Sequence, residues 1–274
     1  MKSITTFTHV LTMKRVGELV SKECGSLLPG LFLILLSLLT IPALSQEYCG
    51  TTGLIAVPTA ETAEAGTFRG GAFFLNNHFT PEKLACDGEK YNTGGYFVSI
   101  TPWSWIEMSY ACTFLKYHKN RDPNEPTGYY NEDRRIGMKL RPLKEGKWWP
   151  AVAIGADDVE QFIQQWFDNK GGTYFHNAYI VASKSVDIGK HELSAHLGYR
   201  YFFKDENRNR RGIAGGIAYR PGFYHDLRFM AEWDGACVNV GADVLLWRHL
   251  YIQAGLTNGK YFVGGISYHY TIPH

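Results

Sequence analysis

Residues 227–246 read LRFMAEWDGACVNVGADVLL, and apolar side chains alternate with polar or small ones along both halves of this stretch. Successive side chains of a β-strand point to opposite faces, so a period of two over this length predicts strands rather than a helix. Asp234-Gly235 separates the two halves, and this dipeptide is typical of a two-residue hairpin turn. The stretch therefore predicts a β-hairpin with one apolar face and one face that carries charges of both signs.

A two-residue turn at this point fixes the register of the predicted hairpin. It pairs Ala231 with Val238, and it places Glu232 opposite Cys237. Apolar and polar side chains then stay on opposite faces of both strands, as a correct register requires.

The same pattern recurs along most of the chain. About twelve alternating segments of strand length lie between residues 67 and 272, and the 274 residues include 15% aromatic side chains and 29 glycines. This composition favours strands and tight bends, and one all-β domain commonly reaches this length. Connections between the early strands are long and short in turn, as in outer-membrane barrels, whereas the last three depart from this rule. The sequence predicts an all-β fold, a single antiparallel transmembrane β-barrel of about twelve strands.

The start of the chain has the features of an export signal. Four basic residues precede a mostly apolar run at 27–44, LLPGLFLILLSLLTIPAL, and Ala43 and Ser45 supply the small residues of a cleavage site. An uncleaved transmembrane anchor is the alternative, because the run approaches the length of a membrane span. Its prolines and glycine favour cleavage. We expect a signal peptide at 1–45, a lead-in at 46–66 that either plugs the barrel or lies in the periplasm, and the barrel at 67–274.

Alternation alone leaves open which face of the barrel meets water, since a soluble barrel buries its apolar face inside. The export signal and the mixture of small residues with charges on the polar face favour a membrane barrel with a polar lumen. Aromatic residues also gather near strand ends, where the girdles of membrane barrels lie. These aromatic residues are Tyr96, Trp103, Trp105, Trp148, Trp149, Tyr199, Tyr201, Trp233, Trp247, Tyr251, Tyr268 and Tyr270.

Charge and cysteine content narrow the classes of function. The formal net charge is +2, and removal of residues 1–45 takes away four basic and two acidic residues, which leaves a neutral chain. We therefore expect no nucleic-acid partner. The remaining cysteines, Cys49, Cys86, Cys112 and Cys237, allow three disulfide connectivities. No CxxC motif or Cys/His cluster is present in the sequence, so we expect no metal and no cofactor.

Several stretches resemble the YjbH-type family of exopolysaccharide-associated outer-membrane proteins. Residues 50–66 contain Gly53-Leu54-Ile55 and Pro58-Thr59-Ala60, residues 133–157 read DRRIGMKLRPLKEGKWWPAVAIGAD, and residues 179–184 read YIVASK. Further matches are Glu232, Asp234, Asn239 and Gly241. The resemblance implies an outer-membrane barrel tied to the production or export of an extracellular polysaccharide. It implies outer-membrane lipid, polysaccharide and other secretion components as partners, and it assigns no catalytic residue.

Charged residues on the predicted lumen face form the candidate site. As a ligand-binding track they would let a glycan rich in hydroxyl groups slide or dock. Neutral substitutions of Arg135, Lys139 and Arg141 would then leave folding intact but lower export. The alternative is a salt-bridged network that holds a narrow barrel together. The track comprises Arg135, Lys139, Arg141, Asp157, Arg200, Arg228, Glu232 and Asp234.

We expect an accessory or conduit rather than an enzyme. Ser194 and His196 share a strand face, as a hydrolase acting on lipid or glycan would require, but residues two apart on one strand have poor geometry for a nucleophile and its base. Asp157-Asp158 and the Glu232/Asp234 pair are better explained by solvation and lumen ion pairs than by glycosidase chemistry. A structural barrel with partner-binding loops is a further alternative, and the aromatic segment at 162–167 is a candidate cover for the barrel mouth.

Overall fold

A computed structural model describes residues 46–48, 50–80, 82–161 and 174–273. The expected signal peptide, Cys49 and the segment at 162–167 lie outside these residues. No helix within them is long and apolar enough to cross a membrane.

Within the described residues, twelve antiparallel strands close into one barrel, because β1 pairs with both β2 and β12. The strands are β1 (Thr67–Leu75), β2 (Thr93–Trp103), β3 (Ile106–His118), β4 (Thr127–Leu143), β5 (Ala151–Asp157), β6 (Asn177–Ile188), β7 (His191–Phe202), β8 (Gly212–Arg220), β9 (Leu227–Trp233), β10 (Val238–Leu246), β11 (Leu250–Thr257) and β12 (Tyr261–Thr271). Short 3-10 helices span Asn77–Phe79, Glu82–Leu84, Lys119–Arg121 and Asp205–Arg210. The predicted twelve-stranded antiparallel barrel is confirmed.

The two faces of the wall differ as the alternation predicts. Apolar side chains such as Leu197 and Ile213 point outward and are 64% and 66% exposed. Charged side chains such as Lys139 and Arg228 point inward and are fully buried. Exposed aromatic residues occur near both ends of the wall, among them Trp103 and Trp105, whose rings stack with centroids 5.8 Å apart.

The register predicted for the β9–β10 hairpin is wrong by two residues. Glu232 pairs with Asn239 rather than Cys237, and Ala231 pairs with Val240. The loop therefore contains four residues, in which the Asp234 carboxylate accepts the backbone N–H groups of the third and fourth, both over 2.9 Å. Such side-chain capping stabilises a wider loop than a two-residue turn. Since the shift is an even number of residues, every side chain keeps its predicted face.

Successive connections lie at alternate ends of the barrel throughout the described strands. The links β1–β2, β3–β4, β5–β6, β7–β8, β9–β10 and β11–β12 all lie at one end, called here the long-connection end, although the last two links are short. The remaining links lie at the opposite, short-connection end, where Gly66 enters β1. The expected departure of the last three connections from the alternation of lengths is confirmed, because the β9–β10, β10–β11 and β11–β12 loops are all short.

Residues 46–48 and 50–63 lie inside the barrel, and the segment 46–66 is called here the plug. Leu54 and Thr52 have no exposed surface, and isolated bridges join Gln46 to Thr52 and Gly53 to Pro58. The plug leaves the lumen at the short-connection end, where the backbone N–H of Gly66 donates to the Thr101 carbonyl over 2.8 Å. The lead-in thus occupies the lumen.

Glycines in the wall make room for the plug. A Cβ added at Gly216 on β8 would lie 2.6 Å from Leu54 Cδ1, and one added at Gly255 on β11 would lie 2.9 Å from Ile55 Cδ1. Both distances are shorter than two carbon atoms tolerate, so a side chain at either position would force Leu54 or Ile55 of the plug to shift.

The described cysteines Cys86, Cys112 and Cys237 carry free thiols. No disulfide joins any two of these three residues.

Candidate functional site

Glu107 and Lys139 fasten the plug at one side of the lumen. Glu107 accepts the backbone N–H of Thr52 over 3.0 Å and that of Ala63 over 2.8 Å. Lys139 Nζ lies 2.9 Å from the Glu107 carboxylate and donates to the carbonyls of Thr52, at 2.6 Å, and Glu61, at 2.9 Å. These adjacent strands, β3 and β4, therefore satisfy plug backbone groups that would otherwise be buried without partners.

Glu232 on β9 binds the apex of the plug. The turn at Leu54–Val57 is closed by a hydrogen bond from Leu54 N–H to Val57 O over 2.8 Å. Its N–H groups at Ile55, Ala56 and Val57 all donate to the Glu232 carboxylate, over 3.0, 2.9 and 3.2 Å. Consecutive N–H groups that converge on one anion form a binding nest, and here the anion belongs to the barrel wall.

Arg200 on β7 joins the plug to a polar cluster on β5 and β6. Its guanidinium donates to Ala56 O over 2.6 Å, to Asp157 over 3.1 Å and to Asn177 over 2.9 Å. Glu47 of the plug lies 3.8 Å from the same guanidinium. Burial raises the pKa of Glu47 to about 7, against the opposing effect of the Arg200 charge.

Arg228 provides the fourth fastening. Its guanidinium donates to Asp243 on the neighbouring strand over 3.0 Å and to the plug carbonyl of Gly53 over 3.2 Å. Glu61 of the plug approaches it to 3.8 Å. The plug thus meets a cation or a carboxylate of the wall at several points along its length.

The eight residues of the predicted track line the wall from end to end, but most of them contact the plug or its partners. Arg135 reaches Tyr48 O at 3.5 Å and lies over the Phe175 ring, with 4.2 Å from guanidinium carbon to ring centroid. Arg141 is half-buried at the short-connection end and donates to Ser104 O over 2.6 Å. Asp234 lies at the long-connection end, in the β9–β10 loop.

The sequence reasoning missed the partners of these charges. The lead-in has no clear period, so nothing in it indicated that its backbone would supply donors to Glu232 and acceptors to Lys139. Wall residues without charge also contribute, since Ser183 Oγ accepts the N–H of Ala60 over 2.8 Å and Gln253 donates to Leu54 O over 3.2 Å. The alternation of side chains along their strands places both residues on the lumen face, and this is the sequence signal that could have identified them.

The two residues of the hydrolase alternative do not pair with each other. Ser194 Oγ donates to Ala218 O over 3.4 Å, whereas His196 Nδ1 lies 2.8 Å from Ser183 Oγ. Ser183 also accepts the N–H of Ala60, so this Ser–His contact lies between the barrel wall and the plug.

A cavity of about 950 Å³, called here the mouth cavity, opens at the long-connection end. Among the described residues that line it are His78, Tyr174, Asn207, Arg208, Asn209 and Arg210. The Tyr174 hydroxyl donates to Asn207 Oδ1 and the Asn207 amide donates back to Tyr174 O, both over 2.9 Å. Aromatic faces beside amides and charges of both signs offer a surface on which sugar rings can stack and form hydrogen bonds.

An aromatic layer separates the mouth cavity from the charged lumen. Phe79 lines the cavity and contacts Tyr48 of the plug, with ring centroids 6.4 Å apart. Tyr48 also contacts Phe175, at 5.5 Å between centroids. Tyr48 of the plug therefore packs directly beneath Phe79, a residue that lines the mouth cavity.

Comparisons with known proteins agree with the resemblance seen in the sequence. The family model described as "Exopolysaccharide biosynthesis protein YbjH" matches residues 45–272. The chain is 28% identical over 221 residues to a protein of Escherichia coli strain K12 described as the uncharacterized lipoprotein YjbH. That match covers 70% of this chain and 28% of the relative, so the chain spans little more than a quarter of the relative's length.

A solved structure also aligns with the barrel. Outer membrane phospholipase A from Escherichia coli matches 76% of this chain and 96% of its own length, with 10% identity and a TM-score of 0.32. A TM-score of this size carries no inference about this chain.

Proposed function

Since this chain belongs to the YjbH family of exopolysaccharide biosynthesis proteins, we propose that it is an outer-membrane barrel, closed by its own plug, that supports polysaccharide production as a non-enzymatic accessory. The plug's attachment to the wall is the observation that carries this proposal. A glycan that passed through the lumen would have to displace at least the contacts of Glu107, Lys139, Arg200 and Glu232 with the plug backbone.

The outer face supports a position in the membrane. Outward side chains along the strands are apolar and exposed, and aromatic residues flank them at both ends. A closed barrel also pairs every strand with two neighbours, so its wall leaves no unpaired strand edge in lipid. In the arrangement usual for such barrels the long-connection end faces the cell exterior.

The mouth cavity supports a contact with glycan outside the lumen. It lies at the end that this orientation exposes, and it offers the exposed ring of His78 and the exposed amide of Asn209 beside basic and acidic side chains. Sugar hydroxyl groups need donors and acceptors together with an apolar face, and this combination is present. We propose that the accessory role uses this surface.

A disulfide staple between plug and wall tests whether the plug must leave. Ala60→Cys and Ser183→Cys place thiols where the backbone N–H of residue 60 already approaches the side chain of residue 183, over 2.8 Å. Extracellular polysaccharide is measured in a strain that depends on the variant, with staple formation followed by mass spectrometry. The accessory proposal predicts that the stapled double variant supports as much polysaccharide as either single variant.

Loss of polysaccharide in the stapled variant, with both single variants active, would contradict the proposal and favour a conduit from which the plug moves. A heat-modifiability gel shows whether each variant forms a closed barrel. The single-cysteine variants control for the loss of the Ser183 hydroxyl, which also contacts His196.

The mouth cavity is tested separately. Arg208→Ala with Asn209→Ala alters two exposed residues of its lining. Lys119→Ala with Asn124→Ala makes the same kind of change on the β3–β4 connection and serves as the matched control. We expect the first pair to reduce binding of purified polysaccharide severalfold and the control pair to leave it unchanged. Equal binding by both would remove the mouth cavity from the proposal.

A further inference from the structure

Two connections of the long-connection end bring a thiol, a carboxylate and an imidazole together. Cys86 and Asp87 lie in the β1–β2 connection, and His118 is the last residue of β3. Ligand atoms of the three side chains all lie within 4.8 Å of one another. His118 Nε2 is 2.8 Å from Asp87 Oδ1, and Cys86 Sγ is 3.9 Å from Asp87 Oδ2.

The backbone holds the first two ligands in a fixed turn. Cys86 and Glu89 exchange both of their backbone hydrogen bonds, over 3.0 and 3.1 Å, so the two residues between them form a tight hairpin turn. Asp87 and Gly88 occupy it with φ of 55° and 80°, the left-handed conformations that an Asp-Gly turn of this type requires. The turn therefore presents the Cys86 thiol and the Asp87 carboxylate toward the same point.

His118 is oriented as metal-binding histidines usually are. Its Nδ1 lies 2.9 Å from the backbone carbonyl of Glu125. Donation of the Nδ1 proton to this carbonyl leaves the Nε2 lone pair directed at Cys86 and Asp87. Metal-binding histidines usually donate their second N–H to a carbonyl or carboxylate in this way.

We propose that Cys86, Asp87 and His118 bind one zinc ion at the long-connection end. Sulfur, nitrogen and oxygen bind zinc at about 2.3, 2.0–2.1 and 2.0–2.2 Å, so tetrahedral ligands lie about 3.2–3.8 Å apart. The observed separations need changes of only about 1 Å to reach this spacing. Thiolate and imidazole disfavour calcium and magnesium, which prefer oxygen ligands.

The ion leaves its fourth position to water or to an incoming ligand, because the part of the chain that the structure describes offers three donors here. It links the β1–β2 connection, which lines the mouth cavity through His78 and Thr80, to the end of β3. The zinc ion therefore fixes part of the rim of the mouth cavity. This inference does not depend on the proposed role in polysaccharide production.

Metal titration of the purified full chain in detergent tests the site. After removal of metal by a chelator, zinc alone is added and its stoichiometry and affinity are measured by competition with a chromophoric chelator. Cobalt alone gives a second readout, since a thiolate ligand produces an intense near-ultraviolet charge-transfer band. We expect one ion per chain, at least hundredfold weaker zinc binding in Cys86→Ser and His118→Gln, and loss of the cobalt band in Cys86→Ser.

Cys237→Ser is the matched control, because Cys237 also lies within 3.7 Å of a carboxylate, that of Asp234. It should bind zinc like the wild type. Absence of stoichiometric zinc in the wild type means that His118 and Asp87 form an ion pair only and overturns the proposal. Wild-type affinity in either Cys86→Ser or His118→Gln overturns it as well. A heat-modifiability gel on each variant ensures that only folded barrels are compared.

Discussion

The Glu232 carboxylate on β9 accepts a hydrogen bond from the backbone N–H of Ala56 over 2.9 Å, although the two residues are 176 positions apart in the chain. This contact joins the barrel wall to the apex of the plug, and the neighbouring N–H groups of Ile55 and Val57 converge on the same carboxylate. The Glu232 carboxylate, which points into the lumen from the wall, therefore helps to hold the plug in the position that blocks the lumen.

Glu232→Ala should loosen the plug while the barrel stays closed as a sheet. The substitution removes the acceptor of three buried N–H groups, and each buried group left without a partner costs about 1–3 kcal/mol. We expect cleavage within residues 46–66 by an added protease to rise at least tenfold, as measured by mass spectrometry. Glu192→Ala, which removes a carboxylate paired with Arg220 across β7 and β8, is the control, and an equal rise there would contradict the account.

Lys139→Met should lower the temperature at which the barrel unfolds. Lys139 is fully buried and binds Glu107 together with plug carbonyls, and removal of one partner of a buried ion pair costs about 3–5 kcal/mol. Lys184→Met is the matched change, because Lys184 forms a partly exposed pair with Glu145, and exposed pairs contribute about 1 kcal/mol or less. The mobility shift in a gel heated in steps gives both temperatures. Equal unfolding temperatures for the two variants would show that Lys139 stabilises the barrel no more than Lys184 does.

Retention of the plug should weaken as pH rises through neutrality. Burial raises the pKa of Glu47 from 4.5 to about 7, so the docked plug favours the protonated carboxyl. The stabilisation from this group is fully present below about 4.5 and is lost as the pH rises through about 7. Hydrogen exchange of the plug amides, corrected for the intrinsic effect of pH, should show more opening at pH 8 than at pH 5. Glu47→Gln should flatten that difference, and an unchanged difference would exclude Glu47 as its source.

The β9–β10 loop makes a prediction about thiol reactivity. Burial and the neighbouring Asp234 carboxylate raise the pKa of Cys237 to about 11. Asp234→Asn keeps an oxygen that can cap the loop but removes the charge, so more of the thiol ionises at pH 8.5. Alkylation of Cys237, followed by peptide mass spectrometry, should accelerate severalfold. Asp205→Asn, at another carboxylate of the same end, should have no such effect.

Strand positions and facing could be predicted from the sequence because both follow from a local period of two. The register of the β9–β10 hairpin could not, because the Asp234 carboxylate caps a four-residue loop that the Asp-Gly pair alone does not indicate. The error was harmless to the lumen assignment, since a shift of two residues leaves Glu232 facing inward.

The conformation and location of the plug could not be predicted from local sequence patterns. Its conformation is set by contacts distant in the chain, such as that between Lys139 and the carbonyl of Glu61, 78 residues apart. The family resemblance of Gly53-Leu54-Ile55 and Pro58-Thr59-Ala60 marked this segment but gave no location for it. The charged residues of the predicted track could be found because they alternate along their strands. Their partners in the plug are backbone groups, which nearly every residue has, so the sequence does not show which ones bind.

The proposed metal ligands were missed for a similar reason. Asp87 and His118 are 31 residues apart, a spacing unlike that of zinc motifs read from sequence. They meet because antiparallel pairing of β2 with β3 returns the chain to the long-connection end.

Ion conductance across a planar lipid bilayer tests the central claim, that the plug closes the folded barrel. Wild-type protein should insert without stable open-channel current, and deletion of residues 46–66 should produce discrete conductance steps. The Ala60→Cys, Ser183→Cys staple should remain closed when oxidised. Steady current through the oxidised staple, equal to that of the deletion, would show that the barrel is open around its plug and would contradict the account.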